Sequence, residues 1–174
     1  DEDGYTPLLH AIIRQHSDIV RFLLDSDADP HHVDNDGVSA LMYACFVGRL
    51  DIVRLLLDDG VDVEARDVEQ RRTALHWAVL RCGIEVLREL ILQHNANMFA
   101  VDRYGDTPFD LAVNDVVADF LLQLYGSKVT ENHGRLALHT LLNVAEYSYA
   151  EGYAFHPPLF PLRIRLPLGK LQLR

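Results

Sequence analysis

Cysteine is almost missing from this chain: its 174 residues include two, Cys45 and Cys82, with no paired spacing and no second cluster. That excludes a disulfide framework or a cysteine-rich zinc site and leads us to expect a reducing, cytoplasmic setting. A bridge between the two is not expected, because adjacent packed helices lie about 8–10 Å apart whereas a disulfide needs Cα atoms about 4.4–6.8 Å apart. Basic charge is scarce as well. The excess of 26 Asp and Glu over 16 Lys and Arg gives a formal charge of −10, which repels a phosphate backbone, so no nucleic-acid partner is expected. No apolar run approaches the roughly 18 residues that span a bilayer, so no membrane span is predicted. The opening Asp1-Glu2-Asp3-Gly4 resembles no signal peptide. Since the chain starts inside a repeated loop and without methionine, we expect a fragment or a processed product.

Motifs that carry chemistry are missing too. There is no glycine-rich phosphate loop, nucleophile elbow or metal-binding helix motif. His31 and His32, between Asp29 and Asp34, are neighbours on a loop with no third ligand, and such neighbours rarely converge on one ion. No catalytic residue, cofactor or metal is therefore predicted, and the chain is not expected to be an enzyme.

What is present is a repeat. Four segments align: Thr6-Pro7-Leu8-Leu9-His10-Ala11, Ser39-Ala40-Leu41-Met42-Tyr43-Ala44, Thr73-Ala74-Leu75-His76-Trp77-Ala78 and Thr107-Pro108-Phe109-Asp110-Leu111-Ala112. Their first residues are 33, 34 and 34 positions apart. A Thr or Ser accepts a hydrogen bond from an open N–H at a helix start, and Pro in the first turn loses no needed donor, so four helices are predicted to begin in phase. A second helix follows in each of the first three units, from Asp18-Ile19-Val20-Arg21, Asp51-Ile52-Val53-Arg54 and Glu85-Val86-Leu87-Arg88. Each starts with an acid that suits the positive helix end and sits three residues before an arginine, a pair worth about 0.2–0.5 kcal/mol. Burial of Leu23, Leu24, Leu55 and Leu56, at about 1.5–3 kcal/mol each before entropy is subtracted, weighs more.

These second helices are predicted to end at Asp27, Gly60 and Asn95, residue types that tolerate a left-handed C-cap. Farther on, Asp1, Asp34, Asp67 and Asp102 each open a turn. Gly4, Gly37 and Gly105 stand three residues after the first, second and fourth of them, and Asp and Gly at such offsets suit a tight projecting turn. The unit thus reads turn, helix, short loop, helix, projecting loop.

Taken together, Asp1-x-x-Gly4-x-Thr6-Pro7-Leu8, Ile52-Val53-Arg54-Leu55-Leu56-Leu57 and Gly60-Val61-Asp62 resemble the ankyrin repeat, over about residues 1–125. The resemblance implies an all-α solenoid of about four helix-turn-helix repeats with projecting turns, followed by an extra helix and a Pro-containing tail. We set the repeats at about 1–33, 34–66, 67–101 and 102–126. Residues 127–151 are read as a helical extension or degenerate fifth repeat, and 152–174 as a basic tail or part of a truncated following segment. Of the histidines, only His76 stands where the family usually has one, which implies a structural hydrogen bond near its helix start. Cys45 occupies a small, buried family position. In the fourth unit, polar Asn114, Asp115 and Asp119 suit an end unit with a wetter outer face.

The resemblance further implies that a partner is held on the face made by the projecting turns and the exposed side of the first helices. The turn tips are Glu2, Asp3 and Tyr5, then Asn35, Asp36 and Val38, then Glu69, Gln70, Arg71 and Arg72, then Arg103, Tyr104 and Asp106. The adjoining helix positions are Ile13, Arg14, Phe46, Val47, Leu80 and Arg81. The third turn is one residue longer than the others and lacks their glycine, so the basic part of the face is placed there. Phe46, Gln70, Arg71, Leu80, Arg81, Arg103 and Tyr104 are the predicted contacts for a protein segment of mixed charge, bound by a monomer. An alternative assigns function to the tail. Arg165-Leu166-Pro167-Leu168 and the helix before it resemble the ubiquitin-ligase adaptor box of some ankyrin proteins, though the usual cysteine is missing. After Glu151 only Arg163, Arg165, Lys170 and Arg174 are charged, a local +4.

Overall fold

The computed structural model describes residues 2–131 except Cys82 and Val113, with side-chain environments given as far as Leu124. The predicted helix around Leu138–Tyr149, the strand-like Leu162–Leu166 and the adaptor-like box all lie outside the described residues. The chain divides into two compact units, Asp1–Phe120 and Leu121–Arg174.

The first unit is built from helix pairs. They are α1 (Pro7–Ile13) with α2 (Ser17–Asp25), α3 (Ala40–Val47) with α4 (Leu50–Asp58), and α5 (Ala74–Val79) with α6 (Ile84–Arg88). Successive first helices pack together, α1 on α3 and α3 on α5, and the second helices do the same, α2 on α4 and α4 on α6. Among the described residues there is no strand, only an isolated antiparallel bridge between Val33 and Ser39.

Local chemistry explains where α1 and α3 start and where the second helices stop. The Thr6 and Ser39 hydroxyls accept the N–H groups of Leu9 and Met42, both at 3.2 Å, closing the first turns of α1 and α3. At the other ends of the second helices, Asp27, Gly60 and Asn95 all take positive φ, +61°, +76° and +53°. Ala28 N–H reaches back to Leu23 O and Asp27 N–H to Leu24 O, the paired bonds of a Schellman cap.

The third pair differs. After Arg88, α6 continues as a π-helical turn over Glu89–Gln93, with His94 N–H on Glu89 O. From Glu85 to Asn95 this helix is one residue longer than from Asp51 to Gly60. The wider turn takes up that residue, so that Leu87, Leu90 and Ile91 all remain fully buried.

Burial is supplied by neighbours as much as by the unit itself. One repeat position is 49% exposed at Ile19 but 0% at Ile52 and 1% at Val86, where a preceding helix pair lies alongside. The acid–arginine pair expected inside α4 is replaced. Asp51 pairs with Arg49 at 2.8 Å, and Arg54 reaches across to Glu89 in the next pair at 2.8 Å.

The fourth unit departs from prediction. Thr107-Pro108 starts no helix: Asp110 and Leu111 N–H reach Thr107 O, and the chain then leaves the turn. The Asp110 carboxylate takes both the Thr107 N–H, at 2.7 Å, and its hydroxyl, at 2.6 Å. Asn114 then caps a new helix, accepting Val117 N–H at 2.9 Å. That helix, α7 (Asp115–Glu131), runs through Gly126, the expected end of the fourth repeat.

Candidate functional site

The second, third and fourth projecting turns are each organised by an aspartate. Asp34, Asp67 and Asp102 are buried, and each donates its backbone N–H across the turn, to the carbonyls of Val38, Arg72 and Asp106. One carboxylate oxygen serves the turn's amides: Asp34 takes those of Asp36 and Val38, Asp67 that of Gln70, and Asp102 those of Tyr104 and Asp106. The second oxygen is held by a side chain. For Asp34 this is the Tyr43 hydroxyl at 2.6 Å, and for Asp67 the Trp77 indole N–H at 3.0 Å. Tyr43 and Trp77 occupy one position of the repeat. In the fourth unit that position is Leu111, which has nothing to donate, and Arg72 of the third turn reaches Asp102 instead, at 3.1 Å. This ion pair is well shielded, with Asp102 0% and Arg72 16% exposed along the side chain.

A backbone ladder ties the turns together. Asn35 N–H donates to Asp3 O, Val68 N–H to Asp36 O, and Arg103 N–H to Gln70 O at 2.7 Å. So close an approach restricts what fits. A Cβ on Gly37, whose φ is +74°, would stand 2.5 Å from a Val68 methyl. In the longer third turn the left-handed position is filled by Arg71, at φ +57°. The ladder also shows where the extra residue goes. Gln70 takes the role of Asp36, so Glu69 is the addition at the tip.

Aromatic rings line the exposed side of the first helices. Tyr5 lies 5.8 Å from Tyr43, Tyr43 lies 6.5 Å from Trp77, and Phe46 meets Trp77 edge-on at 5.6 Å. The Arg81 guanidinium stacks 5.0 Å from the Phe46 ring centre and donates to the Phe46 carbonyl at 3.2 Å. Edge-to-face and cation–aromatic contacts of this kind contribute about 0.5–1.5 kcal/mol each. Because Tyr43 donates its proton to Asp34, the 2.9 Å contact between the two hydroxyls makes Tyr5 the donor to Tyr43. Burial, followed by the Asp34 bond, pushes the Tyr43 phenol well above its ordinary value.

His76 forms a buried joint. Its Nδ1 accepts Thr73 N–H at 3.1 Å, so the ring proton sits on Nε2, which donates to the Asp106 carbonyl at 3.2 Å. Burial lowers its pKa, consistent with a neutral ring. The expected structural role therefore holds, and the bond spans two units. Cys45 is buried as expected, and burial pushes its thiol pKa far up. His32 binds the Gly4 carbonyl at 2.8 Å, and among the described residues no three His, Cys, Asp or Glu side chains gather around a metal-sized space.

The predicted contact residues fall into two groups. Phe46 and Arg81 are together, with Leu80 beside Arg81 half-buried at the end of α5. Gln70, Arg71, Arg103 and Tyr104 belong to the third and fourth turns, where Arg103 Nη1 also donates to the Glu69 carbonyl at 3.0 Å. Tyr104 is 69% exposed. Two residues assigned to the tips are elsewhere: Val38 is buried beneath its turn, and the Arg72 charge is turned inward to Asp102.

Three residues at the site were not predicted. Tyr43 and Trp77 recur as aromatics just before Ala44 and Ala78, a signal that was readable. Arg66 stands where the neighbouring turns have Val33 and Val101, and its Nη1 binds the carbonyls of Arg71, at 2.9 Å, and Val101, at 2.6 Å.

Comparison with known proteins agrees with this geometry. A family model described as "Ankyrin repeats (3 copies)" matches residues 1–67, and one described as "Ankyrin repeats (many copies)" matches residues 47–88. Together they span half of the chain. Among curated proteins, a zebrafish (Danio rerio) protein named palmitoyltransferase ZDHHC17 is 46% identical over 52 residues, 30% of this chain. Serine/threonine-protein kinase 12 of Arabidopsis thaliana is 34% identical over 92 residues, 51% of this chain. The chain spans only 8% and 19% of the lengths of these two relatives.

Proposed function

The chain belongs to the ankyrin-repeat family, whose repeats generally mediate contacts between proteins, and we propose that it is a non-catalytic module holding a partner protein on its turns and first helices. The observation that carries this reading is the Arg81–Phe46–Trp77 cluster. A guanidinium and two rings are fixed against one another on an accessible face, and arginine and large aromatic residues are the usual anchors of protein interfaces. Phe46, Leu80 and Arg81 form one half of the contact surface, and Gln70, Arg71, Arg103 and Tyr104 the other. The charge of −10 favours a protein over a nucleic acid as the partner. An intracellular setting suits the unpaired, buried Cys45, and one copy of the chain suffices for the face. Among the described residues no helix is long and apolar enough to cross a membrane.

Proximity labelling in the source cell, with the wild type and with Phe46→Ala and Arg81→Ala, tests the reading. Both substitutions remove exposed or half-exposed groups and should leave helical content by circular dichroism intact. At least one protein labelled by the wild type should be lost with both variants. Identical labelling by all three proteins would overturn the assignment.

A further inference from the structure

Three guanidinium groups surround a shallow depression on the third and fourth turns. Its lining is Arg66, Val68, Arg71, Val101, Asp102 and Arg103. Arg66 and Arg103 are each anchored by Nη1 alone, Arg66 to the Arg71 and Val101 carbonyls and Arg103 to the Glu69 carbonyl. Among the described residues, no acceptor takes their remaining N–H groups, and the exposed Arg71 side chain has no hydrogen-bond or ion-pair partner.

The acids nearby do not neutralise these groups. Both Asp102 oxygens are used, by the amides of Tyr104 and Asp106 and by Arg72, and its side chain is 0% exposed. Asp67 is likewise held by Gln70 N–H and Trp77. Glu69, added at the same tip, forms no ion pair with the three arginines. Between the charges lie two apolar side chains with much of their surface open, Val68 at 73% and Val101 at 47% exposure.

We propose that this depression binds a carboxylate-rich segment, a run of Asp and Glu, of the protein partner. The proposal rests on the protein-docking reading above and names the chemistry of one part of that surface. Anchoring through one nitrogen fixes the Arg66 and Arg103 guanidiniums while leaving their other donors in a fork that matches a carboxylate. Side chains ordered in advance lose less freedom on binding. The excess of acid over the rest of the chain adds selectivity, because an acidic segment is repelled there and attracted here.

The test uses the purified chain and a fluorescein-labelled peptide of alternating Asp, Glu and Gly, with its Asn/Gln counterpart and a phosphoserine peptide as comparisons. Anisotropy should show the acidic peptide binding about tenfold tighter than the amide counterpart at low salt, with the preference shrinking as salt screens it. Arg71→Gly and Arg103→Gln should each weaken acidic-peptide binding about fivefold or more, whereas Arg21→Gln, which removes an equal charge on α2, should change it less than about twofold. Arg71→Gly is the variant that keeps a failed fold from imitating lost binding, since glycine is the residue of the neighbouring turns. Equal affinity for the acidic and amide peptides, or equal losses at Arg21 and Arg71, would overturn the site. Binding of the phosphoserine peptide alone would overturn its assignment to carboxylates. No partner is needed for this measurement, so its failure leaves the Phe46 and Arg81 test standing.

Discussion

Replacing Arg71 by glycine should strengthen the fold while removing a surface charge. Arg71 holds φ at +57°, a conformation that costs a residue with a Cβ about 1–2 kcal/mol. Glycine escapes that strain but adds freedom to the unfolded chain, which takes back about 0.5–1 kcal/mol. Little else changes. The side chain is exposed, and the bond from Arg66 goes to the Arg71 carbonyl, which glycine retains. The net gain is therefore about 0.5–1 kcal/mol, or about 1–4 °C in Tm for a chain of this length. Arg71→Ala supplies the control, because alanine removes the charge and keeps the Cβ. Thermal and urea unfolding followed by circular dichroism should rank the glycine variant above both the alanine variant and the wild type. Midpoints are the quantity to compare, since repeat stacks need not unfold in one step. If alanine proves as stabilising as glycine, relief of charge crowding and not of backbone strain would be the cause, and the reasoning fails.

Gly37→Ala should destabilise more than Gly105→Ala, by about 1 kcal/mol or more beyond the shared φ penalty. Both glycines have positive φ, but only a Cβ on Gly37 meets the next turn, at Val68; equal urea midpoints for the two variants would contradict this. His76→Leu should lower stability by about 1–3 kcal/mol near neutral pH, because Thr73 and Asp106 lose a buried partner. It should also flatten the pH dependence. The folded-state pKa of His76 lies below its ordinary 6.5, so the unfolded chain takes up the proton first, and the wild type loses stability as pH falls from about 7.5 through 6.5 toward that lower value. Parallel Tm curves for the wild type and the variant between about pH 7.5 and 5.5 would show that His76 carries no such linkage.

Much of the fold was legible because its signals are local and repeated. Thr6, Ser39 and Thr73 mark helix starts, and Asp27, Gly60 and Asn95 mark stops. Each needs only a few neighbouring residues to act, so sequence spacing was enough. Thr107 carries the same mark and fails, because the residues after it decide the outcome. Asp110 closes the first turn on itself, and Asn114 offers a fresh cap four residues later. The extra residue in α6 was hidden for the opposite reason. A π-turn lets the helix keep its apolar face through an insertion, so the pattern of Val86, Leu87, Leu90 and Ile91 looks uninterrupted. At the candidate site, residue types were readable and their pairings were not. Nothing in the order of residues says that Arg81 lies over Phe46, 35 positions earlier.

The pairing of Arg72 shows how one substitution in the repeat shapes the proposed site. Asp34 and Asp67 each use an aromatic donor from the following first helix, and that donor position falls to Leu111 in the fourth unit. A buried carboxylate without a second partner is costly, and Arg72 supplies that partner from the turn before. The third turn therefore commits one of its arginines to structure, and a count of charges along the sequence overstates its basic surface. Arg66, Arg71 and Arg103 stay accessible. An Arg72→Gln substitution should accordingly act on stability and only secondarily on acidic-peptide binding, the reverse of Arg103→Gln. Since the Arg72–Asp102 pair is shielded, leaving Asp102 unpaired should cost about 3 kcal/mol. If Arg72→Gln instead left the unfolding midpoint unchanged and weakened peptide binding as much as Arg103→Gln, the division between structural and binding arginines would be wrong.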